Sequence, residues 1–247
     1  MNIFFLRDEF LAAYLCRYQG FTLTFLVKSA YNLNEIQIIG GTTMARPLGD
    51  RSKKMNEILD AADELFITKG YRGTTISDIA KKIGSAQGAL YYYFSSKEEV
   101  LERLLERYVL SLMAEVMIIQ DRNYDAANKV SQVLELVLKK ASYKNGVLMS
   151  LLYDQDNLRM KEKIFNEIGL VLRPILKDII EEGRKKGDFH TDSPDVAIDY
   201  ILVITDYLSL VIYNKLDNDF KKRITMAETL IETTLGTTDK AIKIKCE

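Results

Sequence analysis

Thr74-Thr75-Ile76-Ser77-Asp78-Ile79-Ala80-Lys81-Lys82-Ile83-Gly84-Ser85-Ala86-Gln87-Gly88-Ala89-Leu90-Tyr91-Tyr92-Tyr93-Phe94 is the stretch that decides the fold. It reads as two short helices around a glycine. Thr75-Ile76-Ser77-Asp78 opens the first in the manner of a capping box, and Ile76, Ile79, Ala80 and Ile83 give it one apolar face. Gly84 permits a sharp turn, because it has no Cβ to clash. The spacing then predicts a second helix from about Ala86 to Phe94. At about 100° per residue, Ala86, Leu90 and Phe94 share one stripe that must pack inward. Gly88 and Tyr92 point away, flanked by Gln87 and Tyr91, while Tyr93 swings back toward the packed side.

The same periodicity extends in both directions. Ile58, Ala61, Ala62, Leu65 and Phe66 recur at helical spacing ahead of Gly70, which stands where a C-terminal cap belongs. Ser96-Lys97-Glu98-Glu99 is a capping box opening a longer helix toward Ile119. After the polar break at Asp121 to Asp125, helices are expected at 126–143, 146–154, 157–186, 194–214 and 219–236. Gly187-Asp188 ends one of them, and Ser193-Pro194-Asp195 starts the next with proline in its first turn. The expected fold is all-α, a three-helix head followed by a larger helical body.

Composition sets the outer bounds. The chain has 247 residues, 47% hydrophobic and 28% charged, with three prolines and no tryptophan. That suits long helices in one large core or two small ones. The net charge of −1 excludes a polyanion-binding surface spread over the whole chain, so a nucleic-acid contact must be local. Cys16 and Cys246 have no Cys or His companions, which argues against a disulfide framework and a zinc site and fits a reducing cytoplasm. No apolar run reaches the roughly 18–20 residues of a membrane helix, so no membrane partner is expected. Residues 1–43 hold two apolar runs without a charged lead-in, so a signal peptide is a weak reading. Met44-Ala45-Arg46-Pro47 reads like a fresh start. The chain is thus divided into an extension of doubtful status (1–43), a helix-turn-helix domain (44–97), a helical body (98–238) and a C-terminal tail (239–247).

Two helices around a glycine turn read DNA only if the second presents contacts outward. Here the outward face allows it. Gly88 lets the backbone approach closely, and Tyr91 and Tyr92 offer hydroxyls to phosphate or rings to a thymine methyl. Gln87 offers a bidentate amide to adenine. Thr75 and Lys97 open helices at the same edge, and Arg46, Arg51, Lys53 and Lys54 form a basic arm. From Met44 to Lys97, nine Lys and Arg against six Asp and Glu leave +3. A Tyr-Tyr-Tyr-Phe run alone is more often core filler. Together, however, Phe66, Gly70, Tyr71, Thr74-Thr75, Ile79-Ala80, Gly84, Gly88, Leu90-Tyr91-Tyr92-Tyr93-Phe94 and Lys97-Glu98 resemble the N-terminal domain of TetR-family transcription regulators, over about residues 51–105.

The resemblance implies a homodimer whose third helices enter successive major grooves of a pseudo-palindromic operator in double-stranded DNA. By position it carries DNA contact onto Thr75, Ala86, Gln87, Gly88, Tyr91, Tyr92, Tyr93 and Lys97. Ser85-Ala86 stands where the family often has Val-Ser, which removes one hydroxyl at Ala86 and supplies another at Ser85. Lys53 joins the set from the basic arm. Tyr93 is disputed, because the wheel turns it inward.

For the body the resemblance implies an inducer pocket in the middle helices and a dimer interface from the last two. Soft and aromatic candidates for a small apolar or amphipathic ligand are Met113, Met117, Met149, Leu152, Tyr153, Phe165 and Tyr207. Arg173, before a helix-kinking Pro174, would favour an anionic ligand if it pointed inward; a salt-bridged surface side chain is the plainer reading. Ile201, Ile204, Leu208 and Val211 form one candidate interface face, and Ile224, Ala227 and Ile231 another; intrachain core is the competing reading. His190 is the only histidine, and no nucleophile–base pair is evident. Neither a metal, a cofactor nor an enzyme is expected. The function expected is that of a ligand-responsive regulator, more a repressor than an activator, with a protein-controlled relative of the same fold as the alternative.

Overall fold

The computed structural model describes residues 48–153, 158–214, 219–237 and 241–245. The arm up to Met44 and Arg46, and both cysteines, lie outside the described residues. Those described form eight helices and no strand. In chain order they are α1 (Leu48–Lys69), α2 (Ile76–Lys82), α3 (Gln87–Leu90), α4 (Lys97–Asp121), α5 (Ala126–Tyr153), α6 (Leu158–Lys186), α7 (Pro194–Tyr213) and α8 (Phe220–Leu235). The all-α class expected from the sequence is what folds.

Chain contacts separate two compact units, with the divide between Tyr108 and Val109 inside α4. The sequence reading divides the chain at Lys97 instead. The reason for the later divide is local: Arg107 donates to Asp60 at 2.7 Å and Tyr108 donates to Asp63, so the first turns of α4 belong to α1. In this first unit Ile58, Ala62, Phe66, Ile79, Leu90, Phe94, Leu101 and Leu104 are buried.

In the second unit α5 packs on α6 and α7, and α7 also meets α6 and α8. Val130, Leu134, Leu138, Val171, Ile175, Ile179, Ile198 and Ile201 supply its core. α5 runs without interruption where two helices are expected. Asn145 and Gly146 suggest a break, but a mid-helix glycine costs only about 1 kcal/mol against alanine, which tertiary packing outweighs. Polar ties fasten the outside. Lys129, itself buried, pairs with Glu182 at 2.8 Å, which also takes Lys186 at 2.7 Å. Those two ammonium groups, Lys129 first, hold the Glu182 carboxyl below its ordinary range. Glu182 is therefore a bridge to α5.

One helix is more apolar overall than its interrupted letters suggest. α7 is long and apolar enough to cross a bilayer by length and composition, with a mean hydropathy of 1.7. Asp199 and Asp206 interrupt its apolar letters, so no unbroken run is visible in the sequence. Its hydropathy arises from two apolar faces. Ala197, Ile198, Ile201, Leu208 and Val211 are buried within the chain, while Val196, Tyr200, Val203 and Tyr207 are exposed.

Candidate nucleic-acid interface

Thr75 caps α2 reciprocally. Its Oγ1 accepts from the Asp78 N–H at 3.1 Å, and its own N–H donates to the Asp78 carboxylate at 2.9 Å. Lys69 pairs with the other Asp78 oxygen at 2.9 Å. Lys69, then Thr75, hold the Asp78 carboxyl far below the usual carboxylate range. The sign follows: a carboxyl whose folded pKa is depressed loses its contribution only as pH falls below the ordinary value, about 3.9, so the cap is intact at neutral pH. Thr75 is exposed, but both its N–H and its hydroxyl already serve Asp78.

After Gly84, whose φ of 63° places it in the left-handed region, Ser85 donates its N–H to Ala80 O at 2.9 Å. The regular part of α3 is shorter than expected. Ala86 is its extended N-cap, at φ −73° and ψ 143°, and Tyr91 to Tyr93 form a turn in which Phe94 N–H still reaches Leu90 O at 2.9 Å. Ala86 is therefore no inward anchor: it precedes the helix, so the helical wheel does not apply to it, and it is exposed. Leu90 and Phe94 carry the packing alone, each 1% exposed.

The outward side is as the wheel drew it. Gln87, Gly88, Tyr91 and Tyr92 are exposed, Tyr92 by 68%, and Tyr93 is intermediate, its ring edge-on to Tyr92 at 5.1 Å. A Cβ built at Gly88 meets nothing within 4 Å among the described residues. Among the described residues no packing contact requires a glycine here. Arg51 of α1 lies 5.5 Å over the Tyr92 ring, which brings one member of the basic set to the turn after α3; this contact was not foreseen, because it depends on how α1 and that turn lie together. Lys53 is exposed nearby in sequence.

Lys97 has a structural task not foreseen from its spacing. Its Nζ donates to Tyr71 O at 2.9 Å and lies 4.2 Å over the Tyr71 ring, while Tyr71 Oη donates to Glu98 at 3.2 Å. The capping at this end is also shifted by one residue. Ser96 Oγ accepts from the Glu99 N–H, but the Glu99 carboxylate accepts from Ser95 and not from Ser96.

In the body, Met113 and Met117 are buried and Phe165 is intermediate. The side chains of Met149, Leu152 and Tyr153 lie outside the described residues. Arg173 and Tyr207 lie on outer faces of their helices. Val171, Leu172, Ile175 and Leu176 take the inward stripe of α6, which leaves Arg173 outside, paired with Asp199 at 2.7 Å. Tyr207 lies on the outer face of α7, hydrogen-bonded to Arg223 of α8. The interface expectation changes in the same way. Ile201, Leu208, Val211, Ile224, Ala227 and Ile231 are buried inside the chain and Ile204 is intermediate, so these faces are core. Met226 and Leu230 on α8 remain exposed beside the outer stripe of α7, which the Tyr207–Arg223 contact places next to them. His190 is exposed and donates its backbone N–H to Leu235 O at 2.9 Å.

Comparison with known proteins agrees with this geometry. The profile "Bacterial regulatory proteins, tetR family" matches residues 58–104. A nucleoid occlusion factor, SlmA, of Vibrio cholerae is 32% identical over 137 residues, covering 51% of this chain and 70% of that protein. The fatty acid metabolism regulator protein of Bacillus subtilis is 32% identical over 145 residues, covering 55% and 70%. The solved structure of the regulator FadR from Bacillus subtilis with stearoyl-CoA superposes with a TM-score of 0.58 at 23% identity, over 74% of this chain and 99% of that one. The head geometry and these likenesses lead to one conclusion: the chain belongs to the TetR family of bacterial regulatory proteins, and is a DNA-binding transcription regulator.

Proposed function

We propose that this regulator acts in the cytoplasm as a homodimeric repressor. Two copies of α3 enter successive major grooves of a pseudo-palindromic operator, and a small apolar or amphipathic ligand in the body releases them. The observation that carries the DNA reading is Gly88. A glycine in a helix costs up to about 1 kcal/mol against alanine, and among the described residues nothing lies within 4 Å of the Cβ it lacks. Close approach of an outside surface accounts for it, with Gln87, Tyr91 and Tyr92 around it to touch base edges and backbone.

The contact set is Lys53, Thr75, Ser85, Ala86, Gln87, Gly88, Tyr91, Tyr92, Tyr93 and Lys97. Ala86 enters it because it is exposed, and Tyr93 enters by its edge. Lys97 has three donors, of which Tyr71 O takes one. Lys97→Ala is expected to cost about 1 kcal/mol in chemical denaturation. It should also flatten the salt dependence of DNA binding by about one unit. Lost stability with an unchanged slope would make Lys97 a tie only.

Self-association falls to the exposed face of Val196, Tyr200, Val203, Tyr207, Met226 and Leu230. Two such faces related by a two-fold axis would form a four-helix bundle. The ligand class is supported by the likeness to a fatty acid metabolism regulator and by the buried Met113 and Met117. The test adds long-chain acyl-CoA to the protein–operator complex and follows DNA release by anisotropy. Release at micromolar ligand supports the reading, and an unchanged complex at every chain length contradicts it. The equal likeness to a nucleoid occlusion factor shows that relatives of this chain are not all metabolic regulators, and control by a protein partner stays the second reading.

A further inference from the structure

Beyond α8 the sequence Ala241-Ile242-Lys243-Ile244-Lys245 alternates apolar and basic residues, the period of an extended chain. Ile242 and Ile244 are buried, at 0% and 6% exposure, and the lysines face outward. Four successive backbone N–H groups each find a side-chain acceptor. Ile242 donates to Glu232 at 3.1 Å and Ile244 to Glu228 at 2.9 Å, both on α8. Lys243 donates to Ser131 Oγ at 3.0 Å and Lys245 to Glu135 at 2.8 Å, both on α5.

The acceptors on each helix are four residues apart, and the donors facing that helix are two apart. The match is metrical. Two extended residues advance about 6.6 Å, and four helical residues about 6 Å. Ordinarily an extended segment finds its backbone partners in a neighbouring strand. Here two helices supply them from side chains. Lys243 Nζ also approaches Glu228 at 3.8 Å, so the acidic lining suits a basic occupant.

We infer that the groove between α5 and α8 is a receptor for an extended peptide, occupied in cis by residues 241–245. The peptide class it takes has two branched apolar side chains separated by one residue, with basic residues alternating. This is independent of the DNA and ligand readings.

Hydrogen exchange on the full-length protein provides the first test. The amides of residues 242–245 should exchange at least about tenfold slower than an unstructured chain. Glu232→Ala should deprotect Ile242, and Glu135→Ala should deprotect Lys245. Glu232→Gln, which keeps an acceptor oxygen, should leave Ile242 protected. Unprotected amides in the wild type would overturn the inference. The second test uses the full chain with Ile242→Asp and Ile244→Asp, which empties the groove, and a fluorescent peptide spanning Thr237–Lys245. The peptide should bind the variant saturably and the wild type at least about tenfold more weakly, because its groove is filled. Equal binding to both, or to neither, would overturn the inference.

Discussion

Gly88→Leu is expected to abolish specific DNA binding, by at least about 100-fold, while the protein melts no lower than the wild type. The two halves of this result have separate causes. On the protein's side the new side chain starts in open space, since a Cβ at Gly88 meets nothing within 4 Å among the described residues. Leucine is also a far better helix former than glycine, by up to about 1 kcal/mol, so α3 gains. Outside the chain the side chain stands between Gln87 and Tyr91, where a groove wall would lie. A factor of 100 corresponds to about 2.7 kcal/mol, the scale of one to two lost bidentate base contacts. Circular dichroism melting and fluorescence anisotropy measure the two halves separately. Unchanged DNA affinity would remove Gly88 from the interface.

Val203→Asp is expected to turn a dimer into a monomer and with it lower operator affinity by on the order of 10²-fold, the loss of linked binding at two half-sites. Val203 is 66% exposed on α7, between Tyr200 and Tyr207 on the same stripe, so the substitution disturbs little inside one chain. Across a two-fold axis it would place a carboxylate in an apolar contact, where desolvation has no compensating partner. Sedimentation velocity reports the oligomeric state. A variant that stays dimeric would exclude this face from self-association.

The head was legible in the sequence because its signals are local. Leu90 and Phe94 are buried as their spacing requires, and Gly84 takes the turn. Ala86 was misplaced because a wheel assumes a helix that begins one residue later in the fold. The body was less legible because its helices carry apolar residues on more than one side. For the interface on α7 the wheel selected Ile201 and Leu208, which face the core, and left out Val203 and Tyr207, which do not. Nothing in the sequence of one helix says which of two apolar faces the rest of the chain will cover. Arg173 and Asp199 illustrate the same limit, since their 2.7 Å pairing depends on the packing of α6 against α7. Residues 239–247 read as a tail in the sequence; the period-two pattern of Ile242 and Ile244 gains meaning only from the helices it packs against.

The central claim is that two copies of α3 read one two-fold site. Selection of double-stranded DNA from a random pool by the full-length protein tests it most directly. The account predicts enrichment of an inverted repeat whose half-sites are centred about 10 base pairs apart, or a multiple of one helical turn, and no enrichment with the Gly88→Leu protein. Enrichment of a single unrepeated motif, or none with the wild type, would contradict it.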